Sequence, residues 1–149
     1  HYKIAKEIKA DGVHLSNLEV CPNLVRKELY SWQIIGSTSN NLETCETYIS
    51  KEVDYIYLSP FESPNLESSI EKFLGLNGYT AILKALKTKT PILAAQGVNI
   101  KAVNGILETG ISGVAVSSEI TQEPNIIKAY NQILNSPSTL EQRYTLKKY

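Results

Sequence analysis

Five short apolar runs, at residues 11–15, 32–37, 54–58, 91–95 and 113–117, alternate along the chain with stretches of helical spacing. Few architectures accept that order. The run Pro91-Ile92-Leu93-Ala94-Ala95 is apolar without interruption. A sheet with one wet face alternates, so such runs predict parallel strands covered on both sides. Between them, Tyr79, Leu83 and Leu86, and again Ile126, Ile127, Tyr130, Ile133 and Leu134, fall on one side of a helix. Helix ends carry matching signals: Asn40 or Asn41 ahead of 42–49, Asn99 ahead of 100–108, and Gly110 just beyond. The pattern predicts an α/β chain of about five parallel strand-helix units. They form one domain over 1–135, and the polar stretch 136–149 follows as a tail or a last helix.

Composition narrows the partners. Fifteen basic residues balance fifteen acidic ones, and no Lys/Arg stripe with interleaved aromatics offers a nucleic-acid surface. No apolar run approaches the roughly 18 residues of a spanning helix, and no charged-then-apolar leader opens the chain. Neither nucleic acid nor a membrane is therefore expected as a partner. Cys21 and Cys45 do not form a CxxC pair. They read as reduced thiols of a cytoplasmic protein, behaving as small buried hydrophobes. With no methionine and His1 at its start, the chain is expected to be part of a longer product.

The longest connection without periodicity, 59–74, follows the third run and holds Pro60, Pro64, Asn65 and three acidic residues. A strand-to-helix loop of that length in a compact α/β domain is a place for function.

Several phrases carry a more specific signal. In chain order they are Ala10-Asp11-Gly12-Val13-His14-Leu15, Ile34-Ile35-Gly36-Ser37-Thr38, Asp54-Tyr55-Ile56 with Ser59-Pro60-Phe61, Pro91-Ile92-Leu93-Ala94-Ala95-Gln96-Gly97-Val98-Asn99, and Gly113-Val114-Ala115-Val116-Ser117-Ser118. Together, over about residues 2–120, they resemble the thiamine phosphate synthase family. The resemblance implies a phosphate-binding (β/α)8 barrel of TIM type, here incomplete. A whole barrel takes roughly 250 residues and rarely fewer than about 200, against 149 here. On that alignment, 11–15 corresponds to the family's fourth strand. The first three units, with a loop and an Asn-Asp pair for the pyrimidine diphosphate and its magnesium, have no counterpart.

The implied reaction joins hydroxymethylpyrimidine diphosphate to thiazole phosphate and expels pyrophosphate, with Mg2+ neutralising the leaving group. Small phosphate esters are thus the implied partners. The family's metal-binding aspartate falls on Glu19, which keeps the charge and adds a methylene; a solvated loop carboxylate is the alternative. The family serine that meets the diphosphate falls on Thr38, which serves equally well in a capping turn with Ser39 and Asn40. Gly97, Ser117 and Ser118 match the residues around the thiazole phosphate. Gly97 is read as glycine because a side chain would keep phosphate from its amide, and Gln96 replaces another family glycine. Where the family shows Thr-x-Thr-Lys, this chain has Pro64-Asn65-Leu66-Glu67. Asn65 is carried over as a phosphate contact, but neither Leu66 nor Glu67 is basic, and Lys72 is the nearest substitute. Losing one such donor costs about 3–4 kcal/mol of transition-state stabilisation.

His14, mid-strand between Val13 and Leu15, is expected to point into a packed interior, with no ligand role. Three readings stay open: an active transferase, a module that binds a phosphate ester without chemistry, and an unrelated five-stranded flavodoxin-like sheet, which strand order would expose. The family's thiazole tautomerase branch has histidine where Asn40 stands, which weighs against it. An unpaired edge at the first strand predicts a homo-oligomer or a longer chain.

Overall fold

A computed structural model describes residues 1–17, 19–62 and 73–135. The expectations for Asn65, for Leu66, Glu67 and Lys72, and for 136–149 lie outside the described residues. The chain runs α1 (Tyr2–Glu7), β1 (Gly12–Leu15), α2 (Pro22–Glu28), β2 (Ile34–Ser39), α3 (Leu42–Ser50), β3 (Tyr55–Leu58), α4 (Gly75–Ala85), β4 (Ile92–Ala95), α5 (Val103–Glu108), β5 (Gly113–Ala115), α6 (Ser118–Gln122) and α7 (Ile126–Asn135).

All five strands lie in one sheet in the order β1-β2-β3-β4-β5, each parallel to the next. Sequential order is that of a barrel arc. A flavodoxin-like sheet would place its second strand outside its first, and that alternative falls. The fold is a partial α/β barrel.

Side chains alternate across each strand, and the register sorts them into two faces. Ile35, Ile56, Leu58, Ile92 and Ala94 point outward, where Val25, Tyr48, Tyr79, Val103 and Ile106 from the helices bury them. The opposite, inner face carries His14, Gly36 and Tyr55 in one row and Thr38, Tyr57, Leu93 and Gly113 in the next. No helix covers this inner face among the described residues, so most of its side chains are half-buried or exposed. The expectation of strands covered on both sides therefore holds for the outer face only.

Element ends differ from expectation by one to three residues, β5 for example stopping at Ala115, and two of these differences have a visible cause. The second strand begins at Ile34, because the side chain of Gln33 closes the turn before it: Oε1 accepts from Tyr30 N, and Nε2 donates to Ala5 O and Ala10 O. Trp32, 52% exposed, is outside the sheet. The fifth helix starts at Val103, because Asn99 folds into a turn that receives Ala102 N through both its carbonyl and its Oδ1. Asn41 caps α3, with Oδ1 accepting from Thr44 N at 2.8 Å, and Gly110 follows α5 at φ +95°.

At the amino end of the strands, Asp54 accepts from Ile35 N at 2.7 Å and pairs with Arg26, whose other nitrogen donates to Gln33 O. β1 pairs only with β2, and β5 only with β4, among the described residues. Ile4, Ile8, Leu24, Trp32 and Ile34 are exposed apolar side chains from this first part of the chain.

Candidate functional site

Because the strands are parallel, every strand-to-helix loop emerges at one end of the sheet. Glu19, Thr38, Gly97, Ser117 and Ser118 all belong to that end, as expected of a barrel's active face. They fall into two groups. Glu19 follows β1 and Thr38 lies in β2; Gly97 and the two serines follow β4 and β5. β3 stands between, so Thr38 and the β4 end are two strands apart, about 10 Å.

On the first side, Thr38 is the fifth residue of β2 and points to the inner face. Its Oγ1 lies 2.8 Å from His14 Nε2, while His14 Nδ1 lies 3.1 Å from the Tyr55 hydroxyl. The capping alternative for Thr38 is overturned: Asn41 caps α3, and Ser39 supplies the neighbouring turn, its Oγ donating to Asn41 O. His14 faces inward as expected, yet the interior there is not packed. The open arc leaves the residue exposed at the rim, with its ring 4.6 Å from Tyr57 and 5.6 Å from Tyr55. Partial burial pushes the His14 pKa down, favouring neutral imidazole. Burial, reinforced by the neighbouring Tyr57, pushes the Tyr55 phenol up.

This aromatic wall was not anticipated from sequence. A signal existed: the alternation Tyr55-Ile56-Tyr57 sends both tyrosines to one face, and Gly36 sits opposite the first. A Cβ on Gly36 would lie 2.0 Å from Tyr55 Cζ, so the glycine gives the ring its place. Glu19 is exposed on the loop after β1, where its backbone N donates to Asn17 Oδ1. Its carboxylate has no partner among the described residues, which also hold no group of three or more His, Cys, Asp or Glu able to bind a metal.

On the second side, Gly97 has φ +77°, and an added Cβ would meet Glu62 O at 2.0 Å. The backbone after β3 thus occupies the space, a reason for glycine that involves no ligand and stands beside the expected one. Gln96, also left-handed at φ 56°, is held there by its neighbours: its Oε1 accepts from Ser59 Oγ at 2.5 Å and its carbonyl from Phe61 N at 2.9 Å. The side chain is thereby turned toward the end of β3. Ser117 and Ser118 are exposed, and Glu119 beside them accepts from Ile100 N at 3.0 Å and from the Tyr130 hydroxyl. That carboxylate fastens the segment after β5 to the loop that carries Gly97. No described acceptor takes the amide hydrogen of Gly97 or of Ser118.

The sequence model of one family, described as thiamine monophosphate synthase, matches residues 1–120. The chain belongs to that family. Within it, the thiamine-phosphate synthase of Bacteroides fragilis is 32% identical over 138 residues, covering 91% of this chain and 68% of that protein. That of Flavobacterium johnsoniae is 37% identical over 122 residues, covering 80% and 58%. The chain thus spans about two thirds or less of the length of these family members. Among solved structures, the thiamine phosphate pyrophosphorylase from Pyrococcus furiosus superposes with a TM-score of 0.73 at 24% identity, covering 89% of this chain and 62% of that one. At that identity the likeness bears on the fold alone.

Proposed function

We propose that the protein containing this chain is a thiamine phosphate synthase, which joins hydroxymethylpyrimidine diphosphate to thiazole phosphate and releases pyrophosphate. The observation that carries the reading is the family match over residues 1–120, within which Glu19, Thr38, Gly97 and Ser118 belong to one end of the sheet. Family membership supports a place in thiamine biosynthesis. Among the described residues no helix is long and apolar enough to cross a membrane.

In this reading the Thr38 hydroxyl donates to the diphosphate. The amides of Gly97 and Ser118, with the Ser117 and Ser118 hydroxyls, receive the phosphate of the thiazole, a role for which unpartnered amides are suited. Magnesium is commonly held by one or two carboxylates together with substrate phosphates and water. A single exposed Glu19 carboxylate fits that mode without a protein cage. When bound, Mg2+ would neutralise charge on the departing pyrophosphate.

The test is pyrophosphate release by the full-length protein. Turnover should require the pyrimidine diphosphate, the thiazole phosphate and Mg2+ together, and Thr38→Ala should lower kcat about 10²- to 10³-fold. No turnover with all three present refutes the reading. A module that only binds the thiazole phosphate is favoured by one observation, the lack of a basic residue at Leu66 or Glu67; calorimetric binding without turnover would select it.

A further inference from the structure

We propose that His14 is a positioning residue for Thr38: its Nε2–H donates to Thr38 Oγ1, its Nδ1 accepts the Tyr55 hydroxyl, and the Thr38 hydroxyl hydrogen is left to face a phosphate oxygen. The proposal rests on the role given to Thr38 above. The imidazole lies between two hydroxyls, 2.8 Å from that of Thr38 and 3.1 Å from that of Tyr55. A neutral ring has one N–H and one acceptor nitrogen, so the two hydroxyls take opposite roles. The phenol, with an ordinary pKa near 10, is far more acidic than an aliphatic alcohol and is the better donor. It therefore claims the acceptor nitrogen, and the alcohol receives the N–H.

Packing holds this arrangement. Tyr55 is seated over Gly36, where an added Cβ would overlap its ring, and Tyr57 lines the His14 ring at 4.6 Å. The titratable groups facing His14 are these two tyrosines of β3, with Thr38 approaching from β2. The partner of one ring nitrogen sets the state of the other, and so sets what the ring offers its second partner. With the opposite tautomer, the Thr38 hydrogen would be spent on the ring, and only lone pairs would meet an anion.

Two measurements on the full-length protein test this. Imidazole 15N shifts at neutral to mildly basic pH should show His14 protonated on Nε2; protonation on Nδ1 overturns the proposal, whatever the activity. In the pyrophosphate-release assay, His14→Phe should lower kcat/KM on the order of 10- to 100-fold, the scale typical of groups that orient a functional partner. His14→Gln, which can keep an N–H near the Nε2 position, should recover part of the loss. In the Thr38→Ala background, His14→Phe should change kcat/KM less than about twofold, because its effect runs through the missing hydroxyl. Losses that multiply instead would show that His14 acts independently of Thr38 and would overturn the proposal. If the wild-type protein does not turn over, the synthase reading fails, and the 15N shifts decide the hydrogen-bond assignment by themselves.

Discussion

Replacing Gly97 with alanine separates two explanations for one residue. Its φ of +77° lies where an L side chain costs about 1–2 kcal/mol. The added Cβ would stand 2.0 Å from Glu62 O, 2.7 Å from Glu62 C and 2.8 Å from Glu62 N. All three atoms are backbone, so no side-chain rotation relieves the overlap. Shifting the segment after β3 adds about 1–3 kcal/mol, the usual range for overpacking. The expected destabilisation is therefore about 2–5 kcal/mol, and at roughly 2–4 °C per kcal/mol for a chain of this size, Tm should fall by roughly 4–20 °C. Thermal unfolding followed by circular dichroism reads this directly, with a thiazole phosphate titration on the folded protein at low temperature beside it. Gln96→Gly is the control. It relieves a left-handed residue, worth about 1–3 kcal/mol, and deletes the Ser59 hydrogen bond, worth about 1 kcal/mol. It should be neutral to mildly stabilising. An unchanged Tm for Gly97→Ala would refute the reasoning. Lost binding at that unchanged Tm would mean that the glycine serves the ligand's approach and not the contact with Glu62.

Three further outcomes are expected. Glu119→Ala should destabilise the protein by about 1.5–3 kcal/mol, because Ile100 N and the Tyr130 hydroxyl both lose a charged acceptor; urea unfolding measures it, and thiazole phosphate affinity should fall with it. Asn41→Ala should cost about 1 kcal/mol through loss of the α3 cap, with thiazole phosphate affinity unchanged. Because burial lowers the His14 pKa, the unfolded chain takes up this proton first as pH falls through about 6.5. The His14 contribution to stability should decline below that pH and level off beneath the folded-state value. His14→Phe should flatten this segment of the curve of urea midpoint against pH, and an identical curve would refute the assignment.

The strands were legible because burial leaves apolar runs, and on the outer face Ile35, Ile56, Leu58, Ile92 and Ala94 are indeed covered. What misled was the other face. An uninterrupted run such as Pro91-Ile92-Leu93-Ala94-Ala95 suggests two covered sides, yet the inner side of this arc is open, and there His14 meets two hydroxyls at the rim. Trp32 drew the second strand two residues early, since nothing in hydrophobicity reveals that Gln33 folds back to bind Ala5 and Ala10. At the site, residue types were legible and their neighbours were not. Thr38 was readable as a hydroxyl on the ligand side, but its contact with His14 spans 24 residues and depends on strand register. Gly97 was readable as a glycine with a reason, but the Glu62 backbone packed against it approaches from a different strand-to-helix connection.

Because each strand pairs with its immediate successor, the sheet can grow like a zipper, one strand-helix unit joining at a time. Register partners lie 19 to 36 residues apart along the chain, and parallel pairing across such separations is slow. Every intermediate of such growth presents a fresh unpaired strand to its surroundings, so during synthesis the advancing edge, more than the finished core, is where this chain is vulnerable to sticking to its own kind.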